Sequence, residues 1–218
     1  MSFERMGMHI IAVALFLYAL AVLFGIFEIE AEGKYGWGEK FPTWYRVNTK
    51  AAKVYGMFTS KPLTGYHAAL FFVPIMIFLW PMVATSTITL HGVVGAFSLY
   101  FAWVVVWDFT WFVLNPHFGV ARFKRSNVWW FSKEPWLGLV PSGYISAWVI
   151  SLVLAGVGGG LKGGWLNGLV DQALQLLVYV ACISFLIILG APMYSRYYNR
   201  MRQYDERNQA GIFHNQDS

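Results

Sequence analysis

Asp108 is the residue whose placement most needs a reason. It lies in an apolar stretch, Ile88–Leu114, two helical turns before Asn115-Pro116. At about 1.5 Å per residue its carboxylate sits roughly 10 Å inside the end of a helix. Inserting an Asp at the centre of a span costs about 2.5 to 3.5 kcal/mol, so such a residue is either paired or put to use. A residue repeat of 100° places Asn115 on the same helical face as Asp108, among Phe101, Val104, Trp111 and Phe112. His117 follows directly after Pro116. These types suit acid/base work: a carboxylate to take a proton, an amide to orient it, an imidazole to share it. Asp108, Asn115 and His117 are the candidate catalytic residues.

The same end of the chain's apolar segments gathers further ligand types. Glu28 closes the first apolar segment and His67 opens the second. With Asp108 and His117 they make a carboxylate and imidazole set suited to a divalent metal. The spacing carries no HExxH, no ExxH and no cysteine pair, so the set rests on topology alone. Glu28 and Glu30 more often end a span as solvated charges than serve as ligands. A second arrangement pairs His67 with His117 on one side and His9 with His91 on the other, as two b-type haems would need. His9 lies near the terminus and His117 follows a proline turn, which weakens that arrangement. Cys182, the single cysteine, reads as a small apolar packing residue and permits no disulfide within the chain.

Next to Asp108 the chain is dense in aromatics. Trp103, Trp107, Phe109, Trp111 and Phe112 precede the turn Asn115-Pro116-His117-Phe118-Gly119; Trp129, Trp130, Phe131 and Trp136 follow it. An interfacial aromatic belt explains many of them. The functional reading is a wall for an apolar ligand, with Trp111 and Phe112 as substrate contacts. Arg122, Lys124 and Arg125 would then meet an anionic headgroup. The segment from Phe118 to Pro141 is expected to lie along the headgroup layer as a short amphipathic stretch, not as a separate soluble domain.

Five apolar segments must position these residues: Met8–Phe27, His67–Val83, Ile88–Leu114, Tyr144–Leu161 and Leu169–Ala191. Each approaches the roughly 20 residues a bilayer core requires. Only 12% of residues are charged, against about a quarter in soluble domains. The fold class is therefore all-α, a five-helix polytopic membrane bundle with aromatic-rich interfacial loops. Residues 1–193 form the transmembrane domain, including loops 28–66 and 115–143. Residues 194–218 form a helical extension and a polar tail in which His214 carries no assigned role. Pro74 and Pro81 should kink the second span and free carbonyls that neighbouring helices must satisfy.

Of the 16 Lys and Arg residues, all but Arg5 and Lys162 fall in the two long loops and the tail, on one side of a five-span arrangement. The positive-inside rule then puts the N-terminus outside and the C-terminus in the cytoplasm. It also accounts for the basic pI without nucleic acid as a partner. The expected partners are membrane lipids and, in one reading, proteins of a membrane complex. Three functions fit: an enzyme acting on a lipid or other apolar substrate at the cytoplasmic interface, centred on Asp108; a non-catalytic subunit contacting quinone, pigment or lipid; and a haem electron carrier. Lysine is missing from the spans, which argues against a retinal Schiff base.

Overall fold

The computed structural model describes residues 3–59, 61–206 and 209. Among them, five helical segments are long and apolar enough to cross a membrane. These are α1 (Phe3–Glu32), α3 (Gly65–Ala84), α4 (Leu90–Leu114), α5 (Ser142–Gly160), and a continuous rod made of α6 (Trp165–Phe185), a π turn (Leu186–Gly190) and α7 (Ala191–Gln203). A short α2 (Lys50–Thr59) lies in the first long loop. Two strand pairs of two residues each clip the loops: β1 (Tyr45–Arg46) on β2 (Leu63–Thr64), and β3 (Trp136–Leu137) on β4 (Val140–Pro141).

The last rod runs further than its apolar stretch. Pro192 has no N–H and its ring crowds the preceding turn, so the backbone widens into the π turn just before it and then continues as a basic, tyrosine-rich helix. Arg202 at its end donates to the Glu30 carboxylate (2.8 Å), tying α7 back to α1. Prolines act differently in α3. Pro74 cannot serve the carbonyl of Leu70, and at the neighbouring carbonyl of Phe71 the Tyr100 hydroxyl of α4 donates a hydrogen bond (3.3 Å).

α4 is the central helix and packs against α1, α3, α5 and α6. Polar ties between spans replace the hydrophobic drive that lipid cannot supply. Trp103 Nε1 donates to the Leu17 carbonyl (2.7 Å). Ser98 and Ser151 exchange hydroxyl-to-carbonyl bonds at 2.7 and 2.8 Å. At Gly168 the backbones of α5 and α6 come so close that a Cβ would stand 2.2 Å from the Ala155 carbonyl oxygen, so only glycine fits.

The buried apolar residues fall in two clusters. One fills the middle of the bundle around Leu17, Phe78, Trp103, Val106, Trp107 and Tyr179. The other lies at the Lys/Arg-rich end and contains Trp37, Phe112, Phe123, Val128, Trp130 and Phe131. The segment from Phe118 to Pro141 contributes to this second cluster. It forms two single 3-10 turns, Val120–Arg122 and Trp129–Phe131, and the β3–β4 clip, with its rings packed against those at the end of α4. Its aromatics go mainly inward. An alternation of cations and aromatics buries its rings wherever apolar surface is nearest, and here α1, α4 and α7 offer that surface.

Candidate functional site

The polar core of the Lys/Arg-rich end is built from the last turn of α1. Glu28 and Glu32 are spaced i, i+4 and so share one face of that helix. Both are buried. His67, in the first turn of α3 and 2% exposed, faces them. One ligand atom from each of Glu28, Glu32 and His67 lies within 4.8 Å of the others. His67 Nε2 stands 3.8 Å from Glu32 Oε1.

The imidazole is held on three sides. Its Nδ1 is 2.8 Å from the Thr64 hydroxyl, which also accepts the His67 backbone N–H and so caps α3. Trp37 stacks on the ring at 3.8 Å, nearly parallel. Tyr66 packs edge-on. When Nδ1 carries the proton and donates to Thr64, Nε2 presents its lone pair toward the carboxylates, which is the tautomer a metal ligand requires.

The loop that brings Trp37 is bent to do so. Gly36, Trp37 and Gly38 have φ of +71°, +47° and +60°. Glycine adopts this region readily; a tryptophan there is strained by about 1 to 3 kcal/mol. The strain is offset locally. Gly38 N–H donates to Glu32 Oε1 at 2.6 Å, Trp37 Nε1 donates to the Pro62 carbonyl at 3.3 Å, and the Tyr45 hydroxyl donates to the Gly38 carbonyl at 2.6 Å.

Asp108 lies beside this triad and accepts a hydrogen bond from the Tyr144 hydroxyl of α5. Lys61 completes the charge set. Its ammonium lies over the rings of Trp37 (4.3 Å) and Phe131 (3.8 Å). Burial lowers its pKa, and the carboxylates of Asp108, Glu134, Glu28 and Glu32 all push back toward the charged form. Glu134, 4% exposed, accepts the Gly143 N–H (2.5 Å) at the start of α5. Burial raises its pKa, while the Gly143 bond and Lys61 oppose the rise. Four carboxylates therefore surround one lysine. Two buried donors point to the same place without a hydrogen-bond partner. The Tyr66 hydroxyl feels both Glu28 and Glu32, and the Trp107 indole N–H lies near Glu28 but short of hydrogen-bond geometry.

The residues expected at the site divide into those the structure brings together and those it does not. Glu28, His67 and Asp108 belong to one cluster. His117 stands apart: its ring packs on Tyr198, and burial and the cations Lys34, Arg122 and Arg202 lower its pKa. It therefore joins neither the metal set nor a haem pair with His67. Asn115 is 1% exposed and works as a clamp, donating to the Gly33 carbonyl (2.9 Å) and accepting the His117 N–H (3.0 Å). Trp111 and Phe112 pack inside the second apolar cluster. Arg122, Lys124 and Arg125 are exposed; Arg122 donates to the His117 carbonyl and Arg125 to the Ser132 carbonyl. His9 and His91 line one cavity at the opposite end.

Sequence reasoning missed Glu32, Lys61, Glu134 and Tyr144 as site members. The spacing Glu28-x3-Glu32 was the available signal, since two carboxylates four apart at a span's end share a face. The other three come from loops and a helix start, where no periodicity marks them.

Comparison with protein-family models, with curated proteins and with solved structures finds no match for this chain.

Proposed function

We propose that this chain is an integral membrane enzyme that acts on a lipid or other apolar substrate at the Lys/Arg-rich, cytoplasmic interface, using a divalent cation held by Glu28, Glu32 and His67. The observation that carries the reading is the convergence of those three buried ligand atoms within 4.8 Å. A buried carboxylate without compensation is costly, and buried Glu28, Glu32 and Glu134 with half-buried Asp108 against one lysine leave negative charge that a divalent cation would balance. Two carboxylates and an imidazole suit zinc, manganese or iron(II) better than a thiolate-selective metal. The orphaned Tyr66 hydroxyl and Trp107 N–H fit a group bound beside the carboxylates.

A divalent cation held by Glu28, Glu32 and His67 would supply Lewis-acid polarisation of a substrate oxygen. The chain's own residues do the rest. Asp108, held by Tyr144, takes or returns a proton. Lys61 lies between two aromatic rings and steadies negative charge as it develops. Trp37 and Phe131 exclude water around it. Lys124 and Arg125, exposed on the same end, attract an anionic headgroup from the membrane surface.

The test uses the purified chain in lipid nanodiscs. Elemental analysis should find about one transition-metal ion per chain, and Glu32→Gln or His67→Ala should lose it. Lipid analysis by mass spectrometry should show a metal-dependent conversion that Asp108→Asn abolishes while the metal stays bound. A wild-type chain that takes up no cation at micromolar free metal removes the proposal.

A further inference from the structure

The opposite end of the bundle holds a cavity of about 540 Å³ between the starts of α1, α4 and α6 and the end of α5. Its polar lining includes His9, His91, Lys162, Asn167, Asp171 and Gln172. Lys162, exposed, and Asp171, half-buried, stand on its walls, and neither forms an ion pair among the described residues. One apolar wall is made by Ile10, Val13 and Leu99.

Gln172 marks this cavity as more than a surface dent. It lies two turns into α6, about 10 Å below the helix start, and is 4% exposed. Its Nε2 is buried without a hydrogen-bond partner. Its Oε1 is 3.3 Å from the Ser98 hydroxyl, whose single proton also has the Ser151 carbonyl at 2.7 Å. Reversing the amide would let Nε2 donate to Ser98 and would leave Oε1 alone instead. Either orientation leaves one buried amide atom of Gln172 without a partner, at the floor of a polar cavity. Such an atom costs about 1 to 3 kcal/mol unless a ligand or water meets it.

The charges on the walls select the ligand. One unpaired cation and one unpaired anion face the same space, so a purely anionic or purely cationic guest satisfies one and repels the other. A guest carrying both signs satisfies both. We propose that this cavity binds a zwitterionic aminophosphate group, with the phosphate toward Lys162, the ammonium toward Asp171 and a phosphate ester oxygen or ammonium proton on Gln172. The group comes either as a free small molecule or as the headgroup of an aminophospholipid whose chains leave along the apolar wall. The site is independent of the carboxylate cluster at the other end.

The full chain in detergent is titrated calorimetrically with O-phosphoethanolamine, and with glycerol phosphate and ethanolamine as half-ligands. O-phosphoethanolamine should bind at least tenfold tighter than either half. Asp171→Asn, an isosteric change, and Lys162→Gln, on an exposed side chain, should each weaken it tenfold or more with helix content unchanged by circular dichroism. In nanodiscs of equal phosphatidylethanolamine and phosphatidylglycerol, native mass spectrometry then separates the sources. Retention of phosphatidylethanolamine by the wild type but not by Asp171→Asn identifies the lipid headgroup. Binding of the soluble compound with no lipid preference identifies the free zwitterion. Half-ligands that bind as well as the whole, indifference of both arms to Asp171→Asn, or no binding in either arm overturns the proposal.

Discussion

The two ends of this bundle handle buried polarity in opposite ways. At the Lys/Arg-rich end, Glu28, Glu32, His67 and Asp108 are enclosed. Long loops fold back over the helix ends, and Trp37, Phe131 and Lys61 close the space above them. At the other end the connections are short, and the polar residues of α1, α4 and α6 line an open cavity. The difference follows from loop length. A tight turn such as the one joining α3 to α4 has no side chains to spare for a roof. The loop from Gly33 to Thr64 supplies a helix, a strand clip and a strained Trp37. Enclosure strengthens electrostatics and fixes geometry, which suits chemistry; openness suits reversible binding.

The largest effect that separates the ends is catalytic. Asp108→Asn should reduce lipid conversion by about 10²- to 10⁴-fold, the usual share of a general acid or base. Gln172→Leu should leave conversion within about threefold of wild type in the same nanodisc assay. Equal losses from both would erase the division of labour.

A smaller effect sharpens the enclosed end. Thr64→Val removes the hydroxyl that orients His67 but keeps the shape. Metal affinity, read by competition with a fluorescent chelator, should fall about 10- to 100-fold, as is usual when the partner of a ligating imidazole is lost. Unchanged affinity would mean that His67 is a packing residue.

The smallest effect is in pH. Burial raises the pKa of Glu134 above its ordinary value. Its contribution to stability is therefore fully present below about 4.5, the unfolded value, and is lost as pH rises through the folded pKa. Glu134→Gln does not titrate there and can still accept the Gly143 N–H. The melting temperature of the variant should gain on that of the wild type as pH rises from 4.5. A difference that stays flat with pH would show that Lys61 fully offsets the burial.

How much of this was legible in the sequence depends on the kind of signal. The five long apolar helices were legible because a bilayer demands long apolar runs, and their alternating direction put Glu28, His67 and Asp108 at one end, where the structure brings ligand atoms of Glu28 and His67 together with Glu32. Asp108 was legible through its cost. Asn115 shares its helical face, yet the structure spends its amide on the Gly33 carbonyl and the His117 N–H. A face shared at helical spacing says nothing of which way an end residue reaches once the helix stops. Lys61 and Glu134 looked like ordinary loop charges. Their burial depends on contacts between loops far apart in sequence, and no local pattern encodes those.

The length of α1 has a mechanical consequence. Its 30 residues extend about 45 Å, well beyond a hydrocarbon core of roughly 30 Å. Glu28 and Glu32 stand in its last two turns, on one rigid rod long enough to cross a bilayer. A thinner membrane makes that rod lean, and a thicker one lets it stand. Set across a bilayer, such a rod would carry the carboxylates deeper or shallower as lipid thickness changed, so the bilayer would act as a lever on them.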